Sequence, residues 1–206
     1  MGAMGAIQYR CRGRGPLLQA RINNTISAHL PYKCRSPYQS VSRNILPVEK
    51  TPNNGLNGTA RTRLGRFSER NRIYHVATAT HGRKPLFRSF ENGRRVVQAM
   101  HCEEQRGHAV TMAFVVMPDH LHWLVQLIGN RSLSDSVCVV KSCSARIINA
   151  AASSRGTVWQ RGFYDRAIRK NDDLVAIARY IIANPLRAGI VRSVADYPLW
   201  DAIWLP

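Results

Sequence analysis

The stretch HAVTMAFVVMPDHLHWLVQLI, residues 108–128, decides the fold. Two runs of apolar, β-favouring residues, 108–117 and 120–128, flank Pro118 and Asp119, and this order predicts two strands joined by a tight turn. Alternate residues of a strand project to the same face. His120 and His122, separated by Leu121, therefore present two imidazoles side by side, while Asp119 reads as a turn former. Two neutral imidazoles on one face suit a divalent metal but need at least one further ligand.

Working outward, RIYHVATAT (72–80) predicts a strand before the hairpin. Between them, Phe87 to about Gln105 carries Phe87, Phe90, Val97 and Met100 at near-helical spacing. After the hairpin, Ser132 or Ser134 caps a helix to about Ala151, with Val137, Val140, Cys143 and Ile147 on its apolar stripe. TVWQRGFYDRAIR (157–169) alternates bulky and basic residues and predicts a fourth strand. NDDLVAIARYIIANP (171–185) predicts a further helix, with Asn171 as its cap and Pro185 as its stop. The order β-α-β-β-α-β plus one more helix matches an α+β, ferredoxin-like split βαβ plan. An antiparallel sheet with helices on one face and an additional C-terminal helix leaves the other face open to a ligand.

Charge narrows the partners. Thirty Lys and Arg against 12 Asp and Glu make the chain +18. That excess suits a polyanion, nucleic acid first, with a membrane surface as the bland alternative. Residues 1–71 hold 12 of the basic residues and 2 acids, with scattered Pro, Gly and Asn and no sustained period. Residues 1–64 therefore read as a disordered basic extension and 65–206 as the folded domain. An organelle transit peptide, a nucleic-acid-binding arm or an upstream start codon would each have that composition. The five cysteines form no CxxC pair, which fits a reducing cytoplasm. No apolar run reaches the length of a membrane span.

Tyr180 and Asn184 lie four residues apart in RYIIANP, so a helix carries them on one face. An Asn carbonyl oxygen is a hard ligand that suits Mg²⁺ or Mn²⁺ beside two imidazoles. Tyr180 would stand about one turn from that ion as a nucleophile. Tyr164 and Tyr197 compete for that role, but Tyr164 has no ligand-like residue one turn away and Tyr197 sits before Pro198 in an expected turn. Asn184 before Pro185 also reads as a helix C-cap. Trp123 and Trp159 read as core, and Phe163 as either core or base contact. Arg161, Arg166, Arg169, Lys170, Arg179 and Arg187 gather around these residues in sequence and suit a phosphate backbone. Lys141 and Arg146 read equally as DNA contacts or as a solvated face.

Four blocks together resemble the single-tyrosine transposases of the HUH (histidine–hydrophobic–histidine) nuclease superfamily, above all the REP-associated tyrosine transposases of bacteria. The blocks are GRFSERNRIYHVATATHGRKPLF (65–87), MPDHLHWLV (117–125), VWQRGFYDRAIR (158–169) and ARYIIANPLRAGIV (178–191). The resemblance implies that His120, His122 and Asn184 bind Mg²⁺ or Mn²⁺ and that Tyr180 is the catalytic tyrosine. It implies attack on single-stranded DNA flanking a hairpin-forming repeat, leaving a 5′-phosphotyrosine link and a free 3′-OH. It also implies a cytoplasmic, nucleoid-associated bacterial protein, working as a monomer or as a homodimer that exchanges helices. Two rivals remain: a non-catalytic DNA- or RNA-binding module of the same fold, and a metal hydrolase using bound water.

Overall fold

The computed structural model describes residues 68–204. The extension expected over 1–64, and its boundary at 65, lie outside the described residues. The chain runs β1 (Ile73–Ala79), α1 (Phe90–Gln105), β2 (Ala109–Met117), β3 (His120–Leu127), α2 (Leu133–Ala151), β4 (Tyr164–Ala167), α3 (Leu174–Ile182), α4 (Asn184–Arg187) and β5 (Trp200–Ala202). The strands form one antiparallel sheet in the order β4-β1-β3-β2-β5. Its first four strands have the split βαβ order expected from the sequence. The edge strand β5 had no sequence signal beyond its aromatic Trp200.

The hairpin forms as predicted, with Met117 paired to His120 across the two-residue turn. Pro118 and Asp119 are pinned from outside: Phe87 N donates to the Pro118 carbonyl, and Thr80 N to that of Asp119. A bulge at Met112 inserts one extra residue into β2, between the pairs Thr111–Val125 and Ala113–Leu124. Beyond the bulge, Ala113, Val115 and Met117 share a face with Leu124, His122 and His120. The opposite face carries Tyr74, Val76, Leu121, Trp123 and Val125, all buried, with α1 packed on β2 and α2 packed on α1. Trp123 and Trp159 belong to this core as expected, and their indole N–H groups donate to Thr111 and Ser144.

Several boundaries differ from expectation for local reasons. Phe87 lies in a 3₁₀ turn, and α1 starts at Phe90, where Ser89 caps the Asn92 N–H. Its buried stripe is Gly93, Val96, Met100 and Glu103, which leaves Phe90 exposed. On α2, Ile148 is buried and Ile147 faces solvent. Only Tyr164–Ala167 of the fourth-strand segment is strand, with Trp159 bridging Thr80 before it. Asp173, not Asn171, caps α3, because its carboxylate accepts from Val175 N and Ala176 N. Asp172 is held instead by Arg166 and the Arg169 backbone. Pro185 does not end the helical path but sits in the first turn of α4, where a missing N–H is harmless.

The additional helix α3 packs on β2, β3 and β5, on the face opposite α1 and α2. Ala178, Ile181 and Ile182 form its buried side, each isoleucine contributing roughly 1.5–3 kcal/mol by burial. The histidine face is thus covered over β2 and open over β1 and β4.

One ion pair lies inside the helical layer. Glu103 is fully buried and accepts from Arg131. Burial pushes its carboxyl up, and the Arg131 guanidinium opposes that rise. Removing one partner of a buried pair strands the other. Arg131→Ala is therefore expected to lower stability by about 3 kcal/mol, read as a shift of the urea midpoint.

Candidate active site

The register of β1 on β3 builds the site. Ala77 stands opposite His122 and Ala79 opposite His120, so His75, Ala77 and Ala79 share a face with both histidines. β4 extends the face, setting Arg166 opposite His75 and Tyr164 opposite Ala77. The His120 and His122 rings lie 4.9 Å apart, edge to face. Each ring is held through its Nδ1. His120 Nδ1 bonds the Asp119 carboxylate, which also accepts from Arg83. His122 Nδ1 lies 3.2 Å from His75 Nε2. With both Nδ1 atoms engaged, the Nε2 atoms are left as ligand atoms, a common division of labour at metal sites.

Burial drives the His122 pKa down from 6.5 to about 3, helped by His120, His75, Arg187 and Arg83. His75 is lowered by burial and then by Arg166. Burial raises the Asp119 carboxyl, but the hydrogen bonds from His120 and Arg83 outweigh it and leave the group below its ordinary value. At neutral pH His122 is therefore a neutral imidazole, the state that offers a nitrogen lone pair to a cation, and Asp119 is ionised.

α3 brings Tyr180 to the open half of this face. Tyr180, Ala176 and Ile177 form one wall of a groove of about 340 Å³, and His75, Arg166 and Ile168 complete it. The phenol is 59% exposed, so it is available as a nucleophile. Asn184 sits where α3 gives way to α4. Its amide N–H₂ donates to the Ile181 carbonyl at 2.7 Å, the capping role, while its amide oxygen accepts from Arg187 at 2.7 Å. Arg187 also donates to the Tyr180 carbonyl and lies 3.8 Å over the Tyr180 ring, a cation–π contact. One guanidinium thus ties the expected nucleophile to the expected third ligand.

The structure brings His120, His122, Tyr180, Asn184, Arg166 and Arg187 to one side of the molecule. Arg161, Arg169, Lys170 and Arg179 are exposed in the flanking loop and helix. Lys141 is half-buried and donates to the Gln160 and Gly162 carbonyls, anchoring the approach to β4. Tyr197 is buried and donates to the Val116 carbonyl. Tyr164, by contrast, is 60% exposed on the histidine face. Its Cα stands two strand spacings, about 10 Å, from that of His122. From sequence Asp119 reads as a turn former only, and His75 and Arg83 have no role; the structure puts Asp119 on His120, Arg83 on Asp119 and His75 on His122. A polar His75 in an apolar strand was the visible signal, but its face relative to His122 depends on strand register.

The family described as Transposase IS200 like matches residues 68–184, from the approach to β1 through the Tyr180–Asn184 turn. The chain belongs to the IS200-like transposase family. Within it, the chain is similar to a putative REP-associated tyrosine transposase of Haemophilus influenzae. The identity is 31%, covering 43% of this chain and 56% of that protein. It is also 31% identical to the REP-associated tyrosine transposase of Escherichia coli, over 42% of this chain and 50% of that one. The chain thus spans about half the length of these relatives. A solved REP-associated tyrosine transposase bound to a REP hairpin shares the fold, with a TM-score of 0.55 and 22% identity. That match covers 66% of this chain and 79% of that one. None of the helices among the described residues is long and apolar enough to cross a membrane.

The donor chemistry suits a divalent ion at the two imidazoles. Among the described residues no three His, Cys, Asp or Glu side chains gather as a metal cage. A bound ion would therefore take its remaining ligands from Asn184, water or substrate oxygen.

The pH dependence has a definite sign. A folded pKa of about 3 against 6.5 in the unfolded chain keeps His122 neutral in the fold. Its contribution to stability is full above pH 6.5 and is lost as pH falls toward 3. Thermal unfolding of metal-free protein between pH 7 and 4 should show a Tm that falls more steeply for wild type than for His122→Gln.

Proposed function

We propose that this IS200-like transposase is a metal-dependent endonuclease and strand transferase for single-stranded DNA flanking a hairpin-forming repeat. The observation that carries the reading is the groove in which Tyr180 faces His75 and Arg166, beside the paired His120 and His122. His120 and His122 would hold the ion, Mg²⁺ or Mn²⁺, with Asn184 as third ligand once Arg187 has released its amide oxygen. Such an ion would supply Lewis acidity toward the phosphate diester.

The chain's own residues account for the rest. Tyr180 Oη attacks the phosphorus, forming a P–O bond to the phenol while the bond to the 3′ oxygen breaks. The phenol proton leaves to solvent and the departing 3′ oxygen takes one up. The products are a 5′-phosphotyrosine link and a free 3′-OH. The link conserves the ester, so attack by another 3′-OH reseals the strand without ATP. Arg166 lies in the groove for a phosphate, and Arg161, Arg169, Lys170 and Arg179 flank it for the approaching backbone. The partner is DNA of the REP-hairpin type, the kind to which the structural relative is bound. His75 of the same chain lines the groove with Tyr180, which supports a site assembled in cis within a monomer.

A labelled hairpin oligonucleotide with a single-stranded flank tests this. Wild type with Mn²⁺ should yield a covalent adduct in denaturing gels, and EDTA should remove it. Tyr180→Phe should lower cleavage by roughly 1,000-fold or more, the scale of losing a nucleophile. Tyr164→Phe should keep the adduct. Salt-sensitive binding with no adduct would favour the binding-only module, and cutting that survives Tyr180→Phe would favour the hydrolase.

Arg187 is expected to separate two steps. Arg187→Ala should raise Mn²⁺ affinity of DNA-free protein, because the Asn184 oxygen is released. The same change should weaken hairpin binding and lower its salt slope by about one. Calorimetry for the metal and a salt series for the DNA would check both.

A further inference from the structure

The proposed steps leave His75 unused, although its ring is the side chain in polar contact with Nδ1 of the proposed metal ligand His122. Its Nε2 lies 3.2 Å from His122 Nδ1, and the two rings stack at 5.3 Å between centroids with 28° between planes. The contact is diagonal across the sheet, since the residue opposite His122 is Ala77 and the residue opposite His75 is Leu124. Diagonal neighbours meet only when their side chains are long enough. The methyl of Ala77 leaves that space open between the two imidazoles.

A neutral imidazole carries one N–H, and the nitrogen that keeps its lone pair is the one able to ligate. In water the Nε2–H form is the favoured one, which would leave His122 with the wrong nitrogen facing the site. His120 escapes this through the Asp119 carboxylate, which accepts only and so demands a proton on Nδ1. His122 has no carboxylate at its Nδ1; it has His75.

We propose that His75 is a positioning residue for His122. Its Nε2 lone pair accepts the His122 Nδ1 proton, fixing the ring's rotation and leaving the His122 Nε2 lone pair as the ligand atom. His75 itself then carries its proton on Nδ1. The two proposed ligands are thereby set by different chemistry, an anionic carboxylate for one and a neutral imidazole for the other. The role for metal binding rests on the function proposed above, whereas the tautomer does not.

Long-range ¹H–¹⁵N spectra of the histidine rings in metal-free, full-length protein read the tautomer directly. Mn²⁺ titration by calorimetry reads its consequence. Wild-type His122 should be mainly Nδ1–H. His75→Leu should turn it mainly to Nε2–H and weaken Mn²⁺ binding by about 10–100-fold, the usual loss when a ligand's hydrogen-bond partner is removed. His75→Gln, whose amide oxygen also accepts, should restore the Nδ1–H form and most of the affinity. A filler acting only through packing would not distinguish Leu from Gln in this way. An Nε2–H His122 in wild type would overturn the proposal whether or not the variants fold. So would a folded His75→Leu with unchanged tautomer and affinity. Wild type that shows Nδ1–H but takes up no Mn²⁺ would overturn the metal assignment and leave the positioning role standing.

Discussion

The antiparallel pairing of β1 with β3 is the constraint on which the rest of the molecule depends. It sets Ala77 against His122 and Ala79 against His120, and it places His75 diagonal to His122. A slip of one residue would turn every β1 side chain to the other face. Tyr74 and Val76 would then leave the core, and His75 would enter it. The apolar burial that fixes the register on one side of the sheet thereby fixes the imidazole geometry on the other. Stability and chemistry share one pairing. The turn at Pro118 and Asp119 reinforces it, because backbone bonds from Phe87 and Thr80 hold the hairpin end where His120 begins.

The bulge at Met112 and the placement of α3 solve a second problem. β2 is apolar on both sides and lies inside the sheet, so both of its faces need cover. α1 covers one. α3 covers the other with Ala178, Ile181 and Ile182, and in doing so lays Tyr180 along the open half of the histidine face. The helix stands where it does because of hydrophobic burial, and the exposed phenol follows from the helical period. The split between α3 and α4 at Ala183 belongs to the same construction. It lets Asn184 close the carbonyls of α3 while Arg187 folds back over Tyr180.

Charge is arranged in two layers. Near the site, burial and neighbouring cations hold the His122 and His75 rings neutral, while the Asp119 carboxylate is placed on His120. Farther out, the exposed arginines of β4, its flanking loops and α3 make the approach positive. A polyanion is drawn to such a surface, and the neutral rings beneath it keep lone pairs for a cation. The two layers do not conflict because burial acts over the few ångströms around each ring, whereas the basic rim acts over a Debye length.

The sequence by itself determined the split βαβ order, the hairpin, the two core tryptophans and the adjacency of His120 with His122. These follow from local periods of two and 3.6 and from turn chemistry, which need no knowledge of partners. Tyr180 and Asn184 were legible for the same reason, being one helical turn apart. Tertiary structure alone decided that His75 meets His122, that Asp119 grips His120 rather than merely shaping a turn, and that Arg187 joins Tyr180 to Asn184. It also decided that Tyr164 shares the histidine face while Tyr197 is buried, and that Asp173 outcompetes Asn171 as the cap. The placements of His75, Tyr164 and Tyr197 depend on strand register and on packing between residues far apart in sequence, which local periods do not encode. Asp119, Arg187 and Asp173 find these partners close by along the chain, but which of several equivalent neighbours each one takes is set only when the fold fixes the backbone around it.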